Sequence, residues 1–241
     1  MRLLFLGDVM GRSGRKAVTR YLPGLRESLS LDAVICNAEN AAGGFGITPS
    51  TGQELFDVGV DVITLGNHSF DNPAGISYID ETPNVLRPVN YPAGTAPGKG
   101  SGLFDIGGYQ VLVVNVLGRV FMDALDDPFQ AVGKELDTAP LGVVADFIMV
   151  DIHAEATSEK NGMGYFCDGR ASLVVGSHTH VPTADHMIMP QGTAYQTDAG
   201  MCGDYDSVIG MKAETSIYRF RTQLLFFDNF ENLNIRYTTH R

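Results

Sequence analysis

Long apolar runs, paired cysteines and basic side chains are all scarce in this chain of 241 residues. No stretch approaches the ~20 consecutive apolar residues of a membrane span, and the apolar run after Met1 is too short for the core of a signal peptide. Cys36, Cys167 and Cys202 form no CxxC pair, and such an odd, scattered set is typical of reduced thiols. We therefore expect a cytoplasmic protein that is not bound to a membrane.

The shortage of basic residues sets the charge: 17 Lys and Arg stand against 28 Asp and Glu, so the formal net charge is −11. Most of the surface would repel duplex nucleic acid, because neutralising phosphates requires clustered Lys and Arg. A small phosphorylated substrate is compatible with this charge, since metal ions can supply positive charge locally. The 44% of hydrophobic residues is enough for a full core, and the length predicts one domain over residues 1–241.

What the sequence does contain is a repeated pattern of short apolar runs that end in potential metal ligands. Such β-branched runs are typical of buried strands, and the ligands of open α/β sheets bind beyond the carboxyl ends of the strands. The five runs lead, in order, into Asp8, Asn37-Ala38-Glu39-Asn40, Asn67-His68, His153 and His178-Thr179-His180. The carboxylates, amides and imidazoles of these ends form a ligand set suited to two adjacent metal ions.

Single motifs in this pattern also have ordinary structural explanations. Asp8 alone is typical of a turn that caps a helix, and an Asn-rich turn such as residues 37–40 is common after a strand. Glu39, however, ends a buried strand with a charge that needs a partner, and a metal provides one. His178 and His180 would share one face of an extended segment, which favours metal binding over a place in the core.

The Asn67-His68 pair combines a neutral oxygen ligand with an imidazole that is not needed as a ligand. His68 points away from its neighbour along the chain and would stay available for proton transfer, and Asp71 is near enough in sequence to orient its ring. A satisfied turn is the structural alternative for this pair. His186 and His240 lack any comparable context and are interpreted as incidental.

The order of the elements predicts an α/β fold with two packed mixed sheets flanked by helices. Strand-like runs alternate with helical stretches through the first third, which favours parallel βαβ units. Helix starts are predicted at Ser13, Thr48-Pro49, Asn72-Pro73 and Asp127-Pro128. The Gly- and Pro-rich residues 91–108 predict a loop and a hairpin, and short strands are expected after His180, the clearest at residues 224–227 and 233–237.

Taken together, these motifs resemble the calcineurin-type metallophosphoesterases, and within them the YmdB-like family of cyclic-nucleotide phosphodiesterases. The similar segments, which extend over nearly the whole chain, are Gly7-Asp8-Val9-Met10-Gly11-Arg12, Asn37-Ala38-Glu39-Asn40, residues 153–160, Ser177-His178-Thr179-His180-Val181 and residues 205–211. Two positions depart from the superfamily: Met10 stands where a His is usual, and Glu39 stands where Asp usually bridges the metals. Both departures suit the YmdB-like branch, in which Asn40 compensates for the missing His.

The resemblance implies a calcineurin-like metallophosphoesterase sandwich that holds a pair of iron or manganese ions. It places on one ion Asp8, Glu39, Asn40 and His180, and on the other Glu39, Asn67, His153 and His178. The general acid of the family maps to His68. Nitrogen and oxygen ligands without thiolate agree with either metal.

The expected reaction is hydrolysis of a small phosphodiester, in which 2′,3′-cyclic nucleotides are opened to 3′-nucleotides. Two ions ~4 Å apart would share a water whose pKa falls toward about 7, so that hydroxide attacks phosphorus in line. His68 would then protonate the departing ribose oxygen. Arg119 is either a substrate contact or a solvated charge, and Arg12 is interpreted as solvated.

Other functions are also compatible with the sequence. The protein could be a phosphomonoesterase, or a phosphodiesterase on another substrate, which steady-state rates on cyclic diesters and monoesters would distinguish. A regulatory protein could keep the metals and bind a partner through the loop Gly43-Gly44-Phe45-Gly46, although binding alone does not need a proton donor such as His68. A metal-free α/β protein would leave several polar strand ends without partners. Assembly into a homo-oligomer is compatible with all of these functions.

Overall fold

Residues 1–224 of the chain are described by the computed structural model. The strands in this part are β1 (Leu3–Leu6), β2 (Asp8–Val9), β3 (Ala33–Asn37), β4 (Val62–Thr64), β5 (Val85–Leu86), β6 (Ser101–Ile106), β7 (Tyr109–Leu117), β8 (Phe147–His153), β9 (Leu173–Ser177), β10 (Met187–Ile188), β11 (Ala194–Gln196) and β12 (Met201–Cys202). The helices are α1 (Gly11–Leu29), α2 (Pro49–Asp57), α3 (Pro73–Glu81), α4 (Pro128–Thr138), α5 (Thr157–Cys167) and α6 (Ala213–Thr222).

The first sheet consists of parallel strands in the order β1-β3-β4-β5. Every residue of β3 and β4 is buried, as is typical of parallel strands that are covered on both faces. The helices α1, α2 and α3 pack apolar residues such as Leu22, Leu55 and Ile79 against the outer face of this sheet. Because its strands are parallel, their carboxyl ends all lie at the same edge.

The second sheet is mixed, with the strand order β10-β11-β9-β8-β7-β6. β7, β8, β9 and β11 run parallel, whereas β6 and β10 pair antiparallel at its two sides. The predicted hairpin is confirmed as β6–β7, which turns at Gly107 and Gly108 with φ of 61° and 85°, the left-handed conformation of a two-residue hairpin. Helices α4 and α5 cover the outer face of this sheet.

An apolar layer between the two sheets joins them into a sandwich. Ala33 and Ile35 of β3 belong to the same buried cluster as Val113 of β7 and Met149 of β8. The layers therefore run helix, sheet, sheet, helix, and the predicted α/β sandwich is confirmed. Within the described residues the first sheet is parallel throughout, so only the second is mixed. A short third pair, β2 with β12, extends beyond β1 toward the common edge.

Beneath the edge where the strands end, buried polar side chains connect the two sheets. The Asn37 amide donates to the Asp151 carboxylate at 3.2 Å, and the Thr64 hydroxyl donates to the same carboxylate at 2.5 Å. Asn115 of β7 donates to the Leu65 carbonyl, which follows β4, at 2.8 Å. We refer to Asn37, Thr64, Asn115 and Asp151, all fully buried, as the polar bridge. Its hydrogen bonds hold the two sheets in one register.

The predicted helix starts that include proline are confirmed by capping side chains: Thr48 for α2, Asn72 for α3 and Asp127 for α4. The start predicted at Ser13 is wrong, because α1 begins at Gly11 with Met10 as its N-cap. The Gly14 amide donates to the Met10 carbonyl at 2.9 Å. This bond completes the first turn of α1, so Ser13 lies inside the helix and is not its N-cap. The Ser13 hydroxyl instead donates to the Met10 carbonyl at 3.3 Å.

Some expectations extend beyond the described part of the chain. The predicted strand at residues 224–227 lies outside it except for residue 224, and the predicted strand at residues 233–237 and His240 lie wholly outside it. One domain over residues 1–241 stays a prediction. His186 is exposed, in agreement with its incidental interpretation. Within residues 1–224, none of the helices combines the length and the apolar character that crossing a membrane requires.

Candidate metal centre

The side chains that follow the strands meet at the common edge of the two sheets. The predicted ligands found there are Asp8, Glu39, Asn40, Asn67, His153, His178 and His180. Five of these seven ligands are buried. His180 is the most exposed of the five at 7%, while Asp8 and His153 are fully buried. Polar and charged groups buried at this density require partners.

His153 is at the centre of one group of potential ligands. Its Nε2 atom lies 3.2 Å from Glu39 Oε1, 3.1 Å from Asn67 Oδ1 and 3.1 Å from His178 Nδ1. The ligand atoms of Glu39, His153 and His178 all lie within 4.8 Å of one another. A carboxylate and two imidazoles at this spacing match the donor set of a transition-metal site.

Asp8 is at the centre of a second group, on the side of β2. Its Oδ1 atom lies 3.9 Å from His180 Nε2 and 4.0 Å from His153 Nδ1, and Asn40 Oδ1 lies 3.3 Å from His180 Nε2. Asp8 Oδ1 is buried and has no hydrogen-bond partner among the described residues. An unpartnered carboxylate oxygen beside imidazole nitrogen atoms and an amide oxygen fits a bound cation.

The titration of these groups reflects their burial and their mutual attraction. Burial raises the pKa of Asp8 to about 6. Burial also opposes charge on Glu39 and His153, but their attraction prevails, so the pKa of Glu39 falls to about 2 and that of His153 rises to about 9. Burial and the neighbouring His153 lower the pKa of His178 to about 4, which leaves a neutral imidazole near neutral pH. The site therefore combines carboxylate charge for a cation with an imidazole ready to bind it.

A glycine leaves room for these ligands to approach one another. A Cβ atom at Gly66 would overlap both Glu39 Oε2 and the imidazole of His153. Gly66 directly precedes Asn67, so the chain can place the Asn67 oxygen beside His153 only because residue 66 has no side chain. The donor set and the space around it both fit metal ions.

Hydrogen bonds behind His153 fix the orientation of its ring. The Ser177 hydroxyl donates to Asp151 Oδ1 at 2.6 Å, so its oxygen is free to accept from His153 Nδ1 at 2.9 Å. With one proton held on Nδ1, the ring presents its Nε2 atom to the site, where a bound metal ion would replace the second proton. Asp151 is not among the site residues predicted from sequence. It precedes His153 by two residues in β8, so strand alternation places both side chains on the same face.

The ring of His180 is fixed in a similar way. Its Nδ1 atom donates to the Ile209 carbonyl at 2.8 Å, which leaves Nε2 facing Asn40 and Asp8. Met10, the residue that stands where a His is usual in the superfamily, is 3% exposed and lies against Gly210. Met10 therefore fills space behind the site, and Asn40 supplies the polar atom on this side.

The segment that carries His178 and His180 is a strained turn, so the predicted extended conformation is wrong. β9 ends at Ser177, and the φ angles of His178 and His180 are 101° and 65°, a region that is unfavourable for residues with a side chain. The turn sends His178 toward His153 and His180 toward Asn40. An extended segment would have placed both imidazoles on one face.

A buried ion pair holds this turn in place. Asp198 Oδ2 accepts from Lys160 Nζ at 2.6 Å and from the Thr179 hydroxyl at 2.7 Å, and the Thr179 amide lies 3.3 Å away. The side chains of Lys160 and Asp198 are each 1% exposed. The His178 amide is held in turn by Asp8 Oδ2 at 3.0 Å. No local sequence signal marks this pair, because its members come from a helix and a distant loop.

His68 lies at the rim of the site, where its backbone and its ring have different partners. The backbone amide donates to Glu39 Oε2 at 2.9 Å. The ring Nδ1 atom lies 2.6 Å from Asp71 Oδ2, so the predicted contact between Asp71 and the imidazole is confirmed. Because a carboxylate only accepts, Nδ1 carries a proton, and Nε2 is the ring atom left for another partner.

The arginines considered as substrate contacts are both exposed. The backbone amide of Arg119 donates to the Glu159 carboxylate at 2.9 and 3.1 Å. These bonds fix the backbone but do not direct the guanidinium group, so a substrate contact by Arg119 stays a prediction. The exposure of Arg12 agrees with its interpretation as a solvated charge.

Comparison with known proteins identifies the family of the chain. The sequence model of the family described as YmdB-like protein matches residues 4–236. The chain belongs to this family. The resemblance stated from the motifs is therefore confirmed, and the matched range spans all of the proposed ligands.

Among the proteins similar to this YmdB-like chain, one is named for its activity. A 2′,3′-cyclic-nucleotide 2′-phosphodiesterase of Bacillus subtilis (strain 168) is 47% identical over 224 residues, which cover 93% of this chain and 84% of that protein. A hypothetical protein from Thermus thermophilus, of known structure, is 48% identical, with a TM-score of 0.87 over 93% of this chain and 86% of its own. A structure described as a novel phosphatase from Mycoplasma pneumoniae is 36% identical, with a TM-score of 0.84 over 90% and 78% of the two chains.

Proposed function

We propose that this YmdB-like protein is a metal-dependent phosphodiesterase that opens 2′,3′-cyclic nucleotides to 3′-nucleotides. The observation that carries the proposal is the position of His68, whose amide binds Glu39 at 2.9 Å while its ring is held by Asp71 at 2.6 Å. A potential proton donor is thereby tied directly to the candidate metal centre. The name of the Bacillus subtilis relative supports the substrate class.

The proposed ligands form two sets that share one carboxylate. One set is Asp8, Glu39, Asn40 and His180, and the other is Glu39, Asn67, His153 and His178. Glu39 is proposed as the shared ligand because its Oε1 atom lies 3.2 Å from His153 Nε2 and a carboxylate has a second oxygen for another ion. Iron or manganese suits these nitrogen and oxygen donors. Bound ions would offset the charge of the phosphate and lower the pKa of a water molecule.

His68 is the proposed general acid. Asp71 holds the proton on Nδ1, so the proton that His68 can transfer is the one on Nε2. The ribose oxygen that leaves during ring opening needs such a proton, since an alkoxide is a poor leaving group. The bond between the His68 amide and Glu39 keeps this donor at a fixed distance from the ligands. The same proposal includes a small substrate and a cytoplasmic location. It does not include duplex nucleic acid as a partner.

The identity of the product tests this proposal. We expect 2′,3′-cyclic AMP to yield 3′-AMP, because the proton from His68 would assist departure of the 2′ oxygen. Phosphorus NMR or chromatography against both isomers identifies the product, and protein treated with a chelator serves as the control. The kcat/KM for this diester should exceed those for 3′-AMP and 4-nitrophenyl phosphate. Accumulation of 2′-AMP, or faster turnover of the monoesters, would refute the proposal.

Removal of the shared carboxylate should empty the metal centre. Elemental analysis of the wild-type protein is expected to give about two transition-metal ions per chain. Glu39→Ala should lose both ions, because the shared ligand belongs to each set, whereas Asn67→Ala should weaken only one. Glu27→Ala, which removes an exposed carboxylate of α1, is the matched control and should keep both. Retention of both ions by Glu39→Ala would exclude the shared role.

A further inference from the structure

Phe45 exposes a large apolar ring at the rim of the candidate site. Its side chain is 52% accessible, although a ring of this size normally gains by burial. The ring lies edge-on to the imidazole of His68, with the two centroids 5.0 Å apart at an interplanar angle of 84°. An exposed aromatic surface therefore adjoins the proposed proton donor.

In the loop Gly43-Gly44-Phe45-Gly46, Phe45 is the one residue that has a side chain. Its neighbours Gly43, Gly44 and Gly46 have φ of 74°, 104° and 74°, a conformation that glycine adopts readily. The Asn40 amide donates to the Gly44 carbonyl at 2.9 Å, and the Ala42 amide donates to the Gly46 carbonyl at 3.0 Å. The first bond ties the loop to a residue of the candidate metal centre, and the second closes the loop on itself.

The other side of the loop packs against the segment that follows His68. A Cβ atom at Gly46 would lie 2.9 Å from Asn72 Cβ and 3.3 Å from the His68 carbonyl oxygen, so only glycine fits there. The loop is thus wedged between Asn40 and the residues around His68. The backbone holds Phe45 in place, and its side chain stays 52% exposed beside the His68 ring.

The chemistry of a 2′,3′-cyclic nucleotide places its base near the group that protonates O2′. The 2′ oxygen is bonded to C2′, which is bonded to C1′, the atom that carries the base. The 3′ oxygen is one carbon further away. A general acid directed at O2′ therefore approaches the C1′–C2′ edge of the ribose, which also carries the base, and a flat ring beside that acid can stack on the base.

We propose that Phe45 stacks on the base of the substrate and so selects nucleotides over cyclic phosphates without a base. This inference rests on the proposed function, because it takes His68 as the donor to O2′. Stacking would cover the exposed ring and would strengthen binding without entering the chemical step. Phe45 is thus a specificity-determining residue, and its contribution should appear in KM rather than in kcat.

A pair of substrates with and without a base tests the role of Phe45. For Phe45→Ala we expect the KM for 2′,3′-cyclic AMP to rise ~10-fold or more, the effect of losing one base–aromatic stack, with kcat unchanged. The kcat/KM for glycerol 1,2-cyclic phosphate, which has the same five-membered ring but no base, should stay at the wild-type value. Phe45→Tyr keeps the ring and should restore the KM, whereas Phe45→Leu should not. Tyr21→Ala removes an exposed aromatic of α1 and is the matched control.

A binding measurement separates this inference from the proposed function. The chain contains no tryptophan, so the fluorescence of a 2-aminopurine 3′-nucleotide can be followed without interference, and stacking should quench it. Quenching that Phe45→Ala abolishes would support the inference even if 2′,3′-cyclic AMP were not hydrolysed, an outcome that would refute only the proposed function. Two results would overturn the inference. One is an equal loss of kcat/KM in Phe45→Ala on 2′,3′-cyclic AMP and on glycerol 1,2-cyclic phosphate. The other is a KM for 2′,3′-cyclic AMP and a quenching of 2-aminopurine that Phe45→Ala leaves unchanged.

Discussion

Replacing His68 by alanine will lower kcat on 2′,3′-cyclic AMP by ~10²- to 10⁴-fold, the range for loss of a positioned general acid. The metals and the fold should persist, because the bond to Glu39 comes from the backbone amide and survives the substitution. The His68 side chain is 26% exposed, so its removal leaves no sealed cavity in the core. Elemental analysis and the thermal unfolding midpoint of His68→Ala verify both conditions.

The leaving group of the substrate distinguishes proton donation from other roles of His68. A ribose alkoxide needs a proton to depart, whereas a nitrophenolate departs without one. The kcat of His68→Ala should therefore fall much less on bis(4-nitrophenyl) phosphate than on the cyclic nucleotide. Equal falls on both substrates, with metal content intact, would contradict the role as proton donor and would indicate that His68 positions the phosphate. Loss of metal would indicate a structural role instead.

Replacing Lys160 by methionine will lower the free energy of unfolding by ~3–5 kcal/mol, the usual result of removing one partner of a buried ion pair. Lys160 Nζ lies 2.6 Å from Asp198 Oδ2, and both side chains are 1% exposed. Among residues 1–224, the substitution leaves the Asp198 charge with only Thr179 and the Gly200 amide as hydrogen-bond donors. Urea unfolding measures the loss, provided that the slope with denaturant stays constant.

Two comparisons show whether burial causes the effect of Lys160→Met. Arg170→Met breaks the ion pair with Asp137, whose side chains are 37% and 79% exposed, and should cost less than about 1 kcal/mol. Lys160→Met combined with Asp198→Asn removes both buried charges and should recover part of the lost stability. A loss in Lys160→Met no larger than that in Arg170→Met would contradict the importance of this pair.

The residues at the strand ends can be predicted from sequence because parallel strands share an edge. Glu39, Asn67 and His153 each follow or end a buried apolar run, and the sheet topology brings them together without further information. Helix starts that combine a capping residue with proline are equally local, as Thr48 and Asp127 illustrate. These features depend on residues that are adjacent in sequence.

The supports of the site cannot be predicted in this way because their partners are distant in sequence. Lys160 lies on α5, and its charge is paired only once the fold brings Asp198 beneath the turn after β9. The positive φ angles of His178 and His180 have no signature in residue type, since non-glycine residues seldom adopt them. The wrong helix start predicted at Ser13 has the same origin, because the Met10 amide at the N-cap of α1 donates to the carbonyl of Cys202 at 2.9 Å, a residue that is distant in sequence.

Two apolar sheets packed face to face can slide past each other with little penalty, because hydrophobic contact has no direction. In this molecule the bonds from Asn37 and Thr64 to Asp151 permit a single offset, and a displaced sandwich would bury an unpaired carboxylate. The same offset aligns the strand ends that bear Glu39 and His153. The hydrogen bonds that select this offset therefore also bring the two halves of the candidate site together.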